Sequence, residues 1–154
     1  TNLPTNPINN QKYIPGINLG KNTVNEILSS SNFASGTTVK AYKYGQEISG
    51  DEKIGTGTVI KVFENNEEKT EYVAIVYGDT DGDGEITAVD ALAIIKNKTG
   101  EIPFTTDAQK EASKVSTKEN NEDAGAVDAL AITLVIIGKA KLDQNDGIVS
   151  YIES

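Results

Sequence analysis

The sequence predicts an α+β chain built from two small units, a sheet-bearing one over residues 12–77 and a duplicated unit of acidic loop and helix over 78–154. Three observations predict it. The runs TTVKAYKY (37–44), GTVIKVFEN (57–65) and KTEYVAIVY (69–77) are rich in β-branched and aromatic residues with period-two alternation, so strands dominate the first half. DTDGDGEITAVD at 79–90 crowds five carboxylates into one turn, and AVDALAI occurs at 88–94 and again at 126–132. A chain of 154 residues with a hydrophobic share of 37% is lean for one core and suits two small domains.

Taken in order, residues 1–11 (TNLPTNPINNQ) carry no charge and are rich in Asn, Thr and Pro, the composition of a linker. With no methionine at Thr1 and no apolar leader behind it, the chain reads as a piece of a longer protein. YIPGI (13–17) is a short apolar segment. TVNEILSS (23–30) is a helix with Thr23 or Asn22 as its cap, Glu26 at the capping-box spacing from Thr23, and an apolar face of Val24, Ile27 and Leu28. The three strand runs follow, the last two joined by a hairpin turn at Asn65–Glu68. This order predicts a sheet covered on one face by a helix, in a β-grasp-like arrangement. IGTG (54–57) reads as a turn, since it lacks the strand–loop–helix order of a phosphate loop.

The stretch 79–90 has the alternating spacing of a calcium loop: Asp79, Asp81 and Asp83, then Glu85 with its backbone carbonyl, Thr87, and Asp90 at position twelve. Calcium takes several hard oxygen ligands at about 2.3–2.6 Å, and alternate residues of a curled loop point inward to supply them. Gly84 stands at position six, where the chain bends sharply. A solvated Asp-Gly turn would require neither this spacing nor the acid at position twelve. AVDALAIIKNKTG behind it is helical, with a terminal glycine, whereas EYVAIVYG (71–78) ahead of it is a strand; the result is half an EF-hand. EIPF (101–104) is a turn. TTDAQKEASKV (105–115) is a connector helix capped by Thr106 with Gln109 three residues on. The tail ends in an alternating IVSYI (148–152), expected to pair with a strand edge or clasp the second unit, with Asn145–Gly147 as its turn.

This duplication of a loop–helix unit around a helical connector resembles the dockerin family, whose modules dock enzymes and other proteins onto cohesins in cellulosome-type extracellular assemblies. The resemblance covers residues 77–140, and GDTDGDGEITAVDAL is its most specific part. It implies calcium as cofactor, a cohesin as partner, and contacts from Ala88, Val89, Ile95 and Lys96 on one helix and Ala126, Val127 and Leu134 on the other. By position, residues 12–77 look like the X-modules that precede dockerins. With Asp128 at position twelve, a second, weak site falls on Thr117, Glu119, Asn121 and Asp123, weak because Glu122 stands where the turn glycine belongs. Leu92 and Leu130 are assigned to the core, because a helix in a two-helix unit buries one face. The second helix is the more apolar, TLVIIG standing where the first has IKNKTG.

Charge and composition exclude much else. The net charge is −9, and the imbalance lies behind Tyr77, where seven lysines face fifteen acids. Such a surface repels nucleic acid and anionic membranes and attracts divalent cations. Without cysteine or histidine there is no thiol or Ser-His-Asp chemistry and no ordinary zinc set. No apolar run of about 18 residues is present to cross a membrane. Calcium sites of middling affinity fill most readily outside cells, which points to an extracellular protein. The expectation is a non-catalytic docking module. Its rival, a calcium-stabilised adhesion or glycan-binding region, lacks tryptophan, and Tyr42 and Tyr44 make no clear sugar platform.

Overall fold

The computed structural model describes residues 6–8, 11–30, 35–116 and 124–152. Its elements are β1 (Asn6–Ile8), β2 (Gln11–Ile14), α1 (Val24–Ser30), β3 (Thr37–Lys43), β4 (Gln46–Ile48), β5 (Val59–Glu64), β6 (Glu67–Ala74), α2 (Ala88–Thr99), α3 (Asp107–Ser113), α4 (Ala126–Ile136), β7 (Ala140–Leu142) and β8 (Val149–Tyr151). The first six strands form one sheet in the order β1-β2-β6-β5-β3-β4. Only β2 and β6 run parallel; all other neighbours are antiparallel.

Local chemistry explains most boundaries. Thr23 caps α1, its Oγ1 accepting from the Glu26 N–H at 3.2 Å, which frees the Asn22 side chain for another task. The β5–β6 turn is tighter than the four residues expected, because Asn65 and Asn66 both adopt positive φ and close a two-residue hairpin. Thr106 and Gln109 form the capping box of α3. The tail makes a hairpin of its own, β7 with β8. The linker expected over 1–11 is corrected in part: Asn6–Ile8 pair with Gln11–Ile14 at the sheet edge.

The decisive packing feature is the run from Tyr72 to Tyr77. Val73, Ile75 and Tyr77, with Tyr13 beside them, face a core filled by Ile94 of α2, Ala108 and Ala112 of α3, and Ala129 and Ile132 of α4. Tyr72, Ala74 and Val76 face the opposite core, with Ile14, Ile17, Val24, Ile54 and Ile60. Period-two alternation therefore sends one strand into two cores, which is why the run is apolar at every position from Tyr72 to Tyr77. The boundary expected between 77 and 78 is one in sequence, and the packing crosses it.

The tail tightens this junction. Gln144 donates from Nε2 to the Tyr77 carbonyl at 2.8 Å and accepts from the Tyr77 N–H through Oε1 at 2.7 Å, so one side-chain amide satisfies both backbone groups of one residue. Its own carbonyl accepts from the Gly16 N–H at 2.8 Å.

Candidate metal centre

The acidic loop starts where the extended run of β6 ends. Gly78 turns the chain at φ 89°, and its N–H donates to Ala112 O at 2.8 Å, tying the loop entrance to α3. Asp79 follows, fully buried. Its Oδ1 accepts from the Gly82 N–H at 3.0 Å, and its Oδ2 accepts from the N–H groups of Gly84 and Thr56, both at 3.0 Å. The Asp81 and Asp83 carboxylates each accept an N–H two residues on, from Asp83 at 3.2 Å and Glu85 at 2.9 Å. Asp90 closes the loop from the first turn of α2. Its Oδ1 accepts from Thr80 (2.8 Å) and Asp81 (3.1 Å), and its Oδ2 accepts from the N–H of the N-cap residue Thr87 (2.8 Å), which makes the acid at position twelve the N3 member of the capping box of its own helix.

Four of the five expected ligand residues converge: Asp79, Asp81, Asp83 and Asp90 each bring an oxygen within 4.8 Å of the others. That span is about twice a calcium–oxygen distance, so all four fit one coordination sphere. The Glu85 carboxylate turns outward to Lys53 and does not join them.

Electrostatics give the site its character. Burial pushes the Asp79 carboxyl up to about 8 and the Asp90 carboxyl up to about 7, against the hydrogen bonds that favour their charge. Burial also works against charge at Asp81, but hydrogen bonds from Asp79 and Asp83 outweigh it and lower its pKa. Lys53, the lysine that pairs with this loop, is spent on Glu85. A hard divalent cation fits this donor set, and when bound it supplies the positive charge that lets the buried carboxyls ionise together.

The second loop is built on a different frame. Asp128 caps α4 as Asp90 caps α2, its Oδ2 accepting from the Gly125 N–H at 2.9 Å. Its Oδ1 accepts from the N–H groups of Val115 (3.0 Å) and Ser116 (2.9 Å), the counterparts of Thr80 and Asp81. These partners lie 13 and 12 residues before Asp128, against 10 and 9 before Asp90, so the second loop is three residues longer. The residue matching Asp79, immediately before this pair, is Lys114 rather than Thr117. Thr117, Glu119, Asn121 and Asp123 lie outside the described residues. Among the described residues Asp79, Asp81, Asp83 and Asp90 form the only group of three or more such side chains close enough to share a metal.

On the helices, Val89, Ile95 and Val127 are exposed, as are Ala88 and Ala126, while Lys96 and Leu134 are half-buried. Leu92 and Leu130, expected in the core, are corrected: they are 52% and 58% exposed. The acid facing the loop interior sets the helix phase. Ile94, one turn past Asp90, is buried, and Leu92, two residues from each, lies about 200° round. The same holds for Asp128, Ile132 and Leu130. Val89, Leu92, Ala93 and Lys96, with Ile102 and Phe104, border a groove of about 320 Å³ along α2.

Sequence reasoning missed Gly55, Thr56 and Asn22, which contact the loop from the sheet unit. IGTG is the turn expected, closed by the Thr58 N–H on Gly55 O at 3.1 Å, and it also seats the acidic loop, since a Cβ on Gly55 would come within 2.4 Å of Gly82 O and 2.6 Å of Asp79 Oδ2. No family model, no curated protein and no solved structure matches this chain.

Proposed function

We propose that the chain is a non-catalytic, calcium-dependent protein-docking module: a dockerin-like pair of loop–helix units, supported by a β-grasp-like X-module, that anchors an extracellular parent protein to a cohesin. The observation that carries this reading is the duplicated apolar pair, Val89 with Leu92 on α2 and Val127 with Leu130 on α4, exposed on two helices that pack against each other. Exposed leucines and valines repeated at matching positions mark a surface for a partner, since the folding of the chain does not use them. Asp79, Asp81, Asp83 and Asp90, with the Glu85 carbonyl, would hold the ion; Asp90 caps α2, so ordering the loop also fixes the pitch at which the pair is presented.

Titration calorimetry against a panel of cohesin domains tests the reading. Binding in calcium, its loss in chelator, and its loss in Val89→Asp are the expected results. Failure of every cohesin to bind in the presence of calcium overturns it.

A further inference from the structure

Asn22 is 2% exposed, yet it lies on the sheet unit, far in sequence from the acidic loop. Both hydrogens of its side-chain amide are used. Nδ2 donates to Ile54 O at 3.0 Å and to Gly84 O, 62 residues away, at 2.9 Å. The Gly84 carbonyl and the Glu85 N–H are two ends of one planar peptide, and that N–H donates to Asp83 Oδ1. Holding the carbonyl therefore sets the direction of the N–H that orients the Asp83 carboxylate. On the other side of the loop, the Thr56 N–H donates to Asp79 Oδ2. Thr56 is itself pinned, since its Oγ1 donates to Val76 O and accepts from the Val76 N–H, both at 3.0 Å. The absence of a Cβ at Gly55 lets the two backbones meet.

We propose that Asn22 is a positioning residue for the metal loop, and that Asn22 and the Ile54–Gly57 segment make the sheet unit the outer half of the site, so that ion affinity is set in part by a residue 62 positions ahead of Gly84. The inference rests on reading 79–90 as a calcium loop. Groups that orient metal ligands from outside typically matter by 10–100-fold in affinity. Removing the Asn22 amide also leaves Gly84 O and Ile54 O buried without their donor.

The test uses the full chain, with calcium as probe, on wild type and Asn22→Ala. The expected result is a calcium affinity weakened about tenfold or more, with a smaller calcium-induced rise in melting temperature. A merely structural role would lower the melting temperature equally with calcium and with chelator, leaving the rise unchanged, and that outcome overturns the proposal. If Asn22→Ala does not fold, amide hydrogen exchange on the wild type decides. Calcium is expected to slow exchange at Thr56 together with Gly82 and Gly84. Slowing confined to the loop, with Thr56 exchanging as in chelator, overturns the proposal and leaves the calcium loop standing. No calcium binding by the wild type overturns both.

Discussion

Asp79 concentrates the physics of this molecule in one side chain: a carboxyl with no exposure, in reach of three other carboxyls. Its pKa, raised by burial to about 8, and that of Asp90, raised to about 7, make stability depend on pH with a definite sign. Without a cation the folded state holds protons that the unfolded chain releases near the ordinary carboxylate pKa of about 4. The stabilisation from these groups is then fully present below about pH 4 and is lost as pH rises through 7 to 8. With calcium the ionised forms are the bound ones, so the stabilisation supplied by the ion grows over the same interval and binding releases protons. Melting temperatures measured with calcium and with chelator are expected to diverge steadily from pH 5 to pH 8; a constant gap would contradict this account. Gly55 makes a second prediction at this scale. It does not adopt a left-handed φ, so Gly55→Ala tests close approach alone, and the clash with Gly82 O and Asp79 Oδ2 is expected to cost about 1–3 kcal/mol. Chemical denaturation in calcium measures it, and a neutral result would mean that the loop does not sit on its seat.

At the scale of elements, the helices separate what periodicity alone can say from what a site adds. Leu92→Asp and Leu130→Asp, on exposed positions, are expected to change stability by no more than about 0.5 kcal/mol while abolishing partner binding. Ile94→Ala is expected to cost about 2–5 kcal/mol. Thermal unfolding and cohesin titration on the same three variants check both halves. The convergence of Asp79, Asp81, Asp83 and Asp90 was legible because the four lie close in sequence at alternating spacing; the α3 cap was legible because Thr106 and Gln109 lie within one turn. The outward turn of Leu92 was readable in principle, since Asp90 must face the loop and the helix period then carries Leu92 away from it. For the second loop, the expected Thr117, Glu119, Asn121 and Asp123 lie outside the described residues, and Asp128 accepts from amides 13 and 12 residues before it, three further back than the partners of Asp90. With Lys114 standing where Asp79 stands, titration is expected to give one tightly bound calcium per chain. The IGTG seat was not legible at all, because its partners lie about twenty to thirty residues away, from Asp79 to Gly84, and tertiary docking of a turn leaves no period in sequence.

On the scale of the whole molecule, the question is whether a chain that reads as two units unfolds as one. The run from Val73 to Tyr77 supplies alternate side chains to both cores, so neither core can come apart while the other keeps its wall intact. The acidic loop adds a second tie through Asn22, Thr56 and the Lys53–Glu85 pair. The tail adds a third through Gln144, whose removal would leave the N–H and carbonyl of buried Tyr77 without their partner, at a cost of about 1–3 kcal/mol. Two spectroscopic probes divide the chain conveniently. Five of the six tyrosines, at 13, 42, 44, 72 and 77, lie in the sheet half, while α2, α3 and α4 carry most of the helical signal. Urea unfolding followed by tyrosine fluorescence and by helical circular dichroism is therefore expected to give coincident curves. Both should shift together to lower urea in chelator, since calcium at a hundred times its dissociation constant stabilises the folded chain by about 2.7 kcal/mol. Two separated transitions, or a helical curve that moves in chelator while the tyrosine curve stays, would show that the shared strand does not couple the two halves.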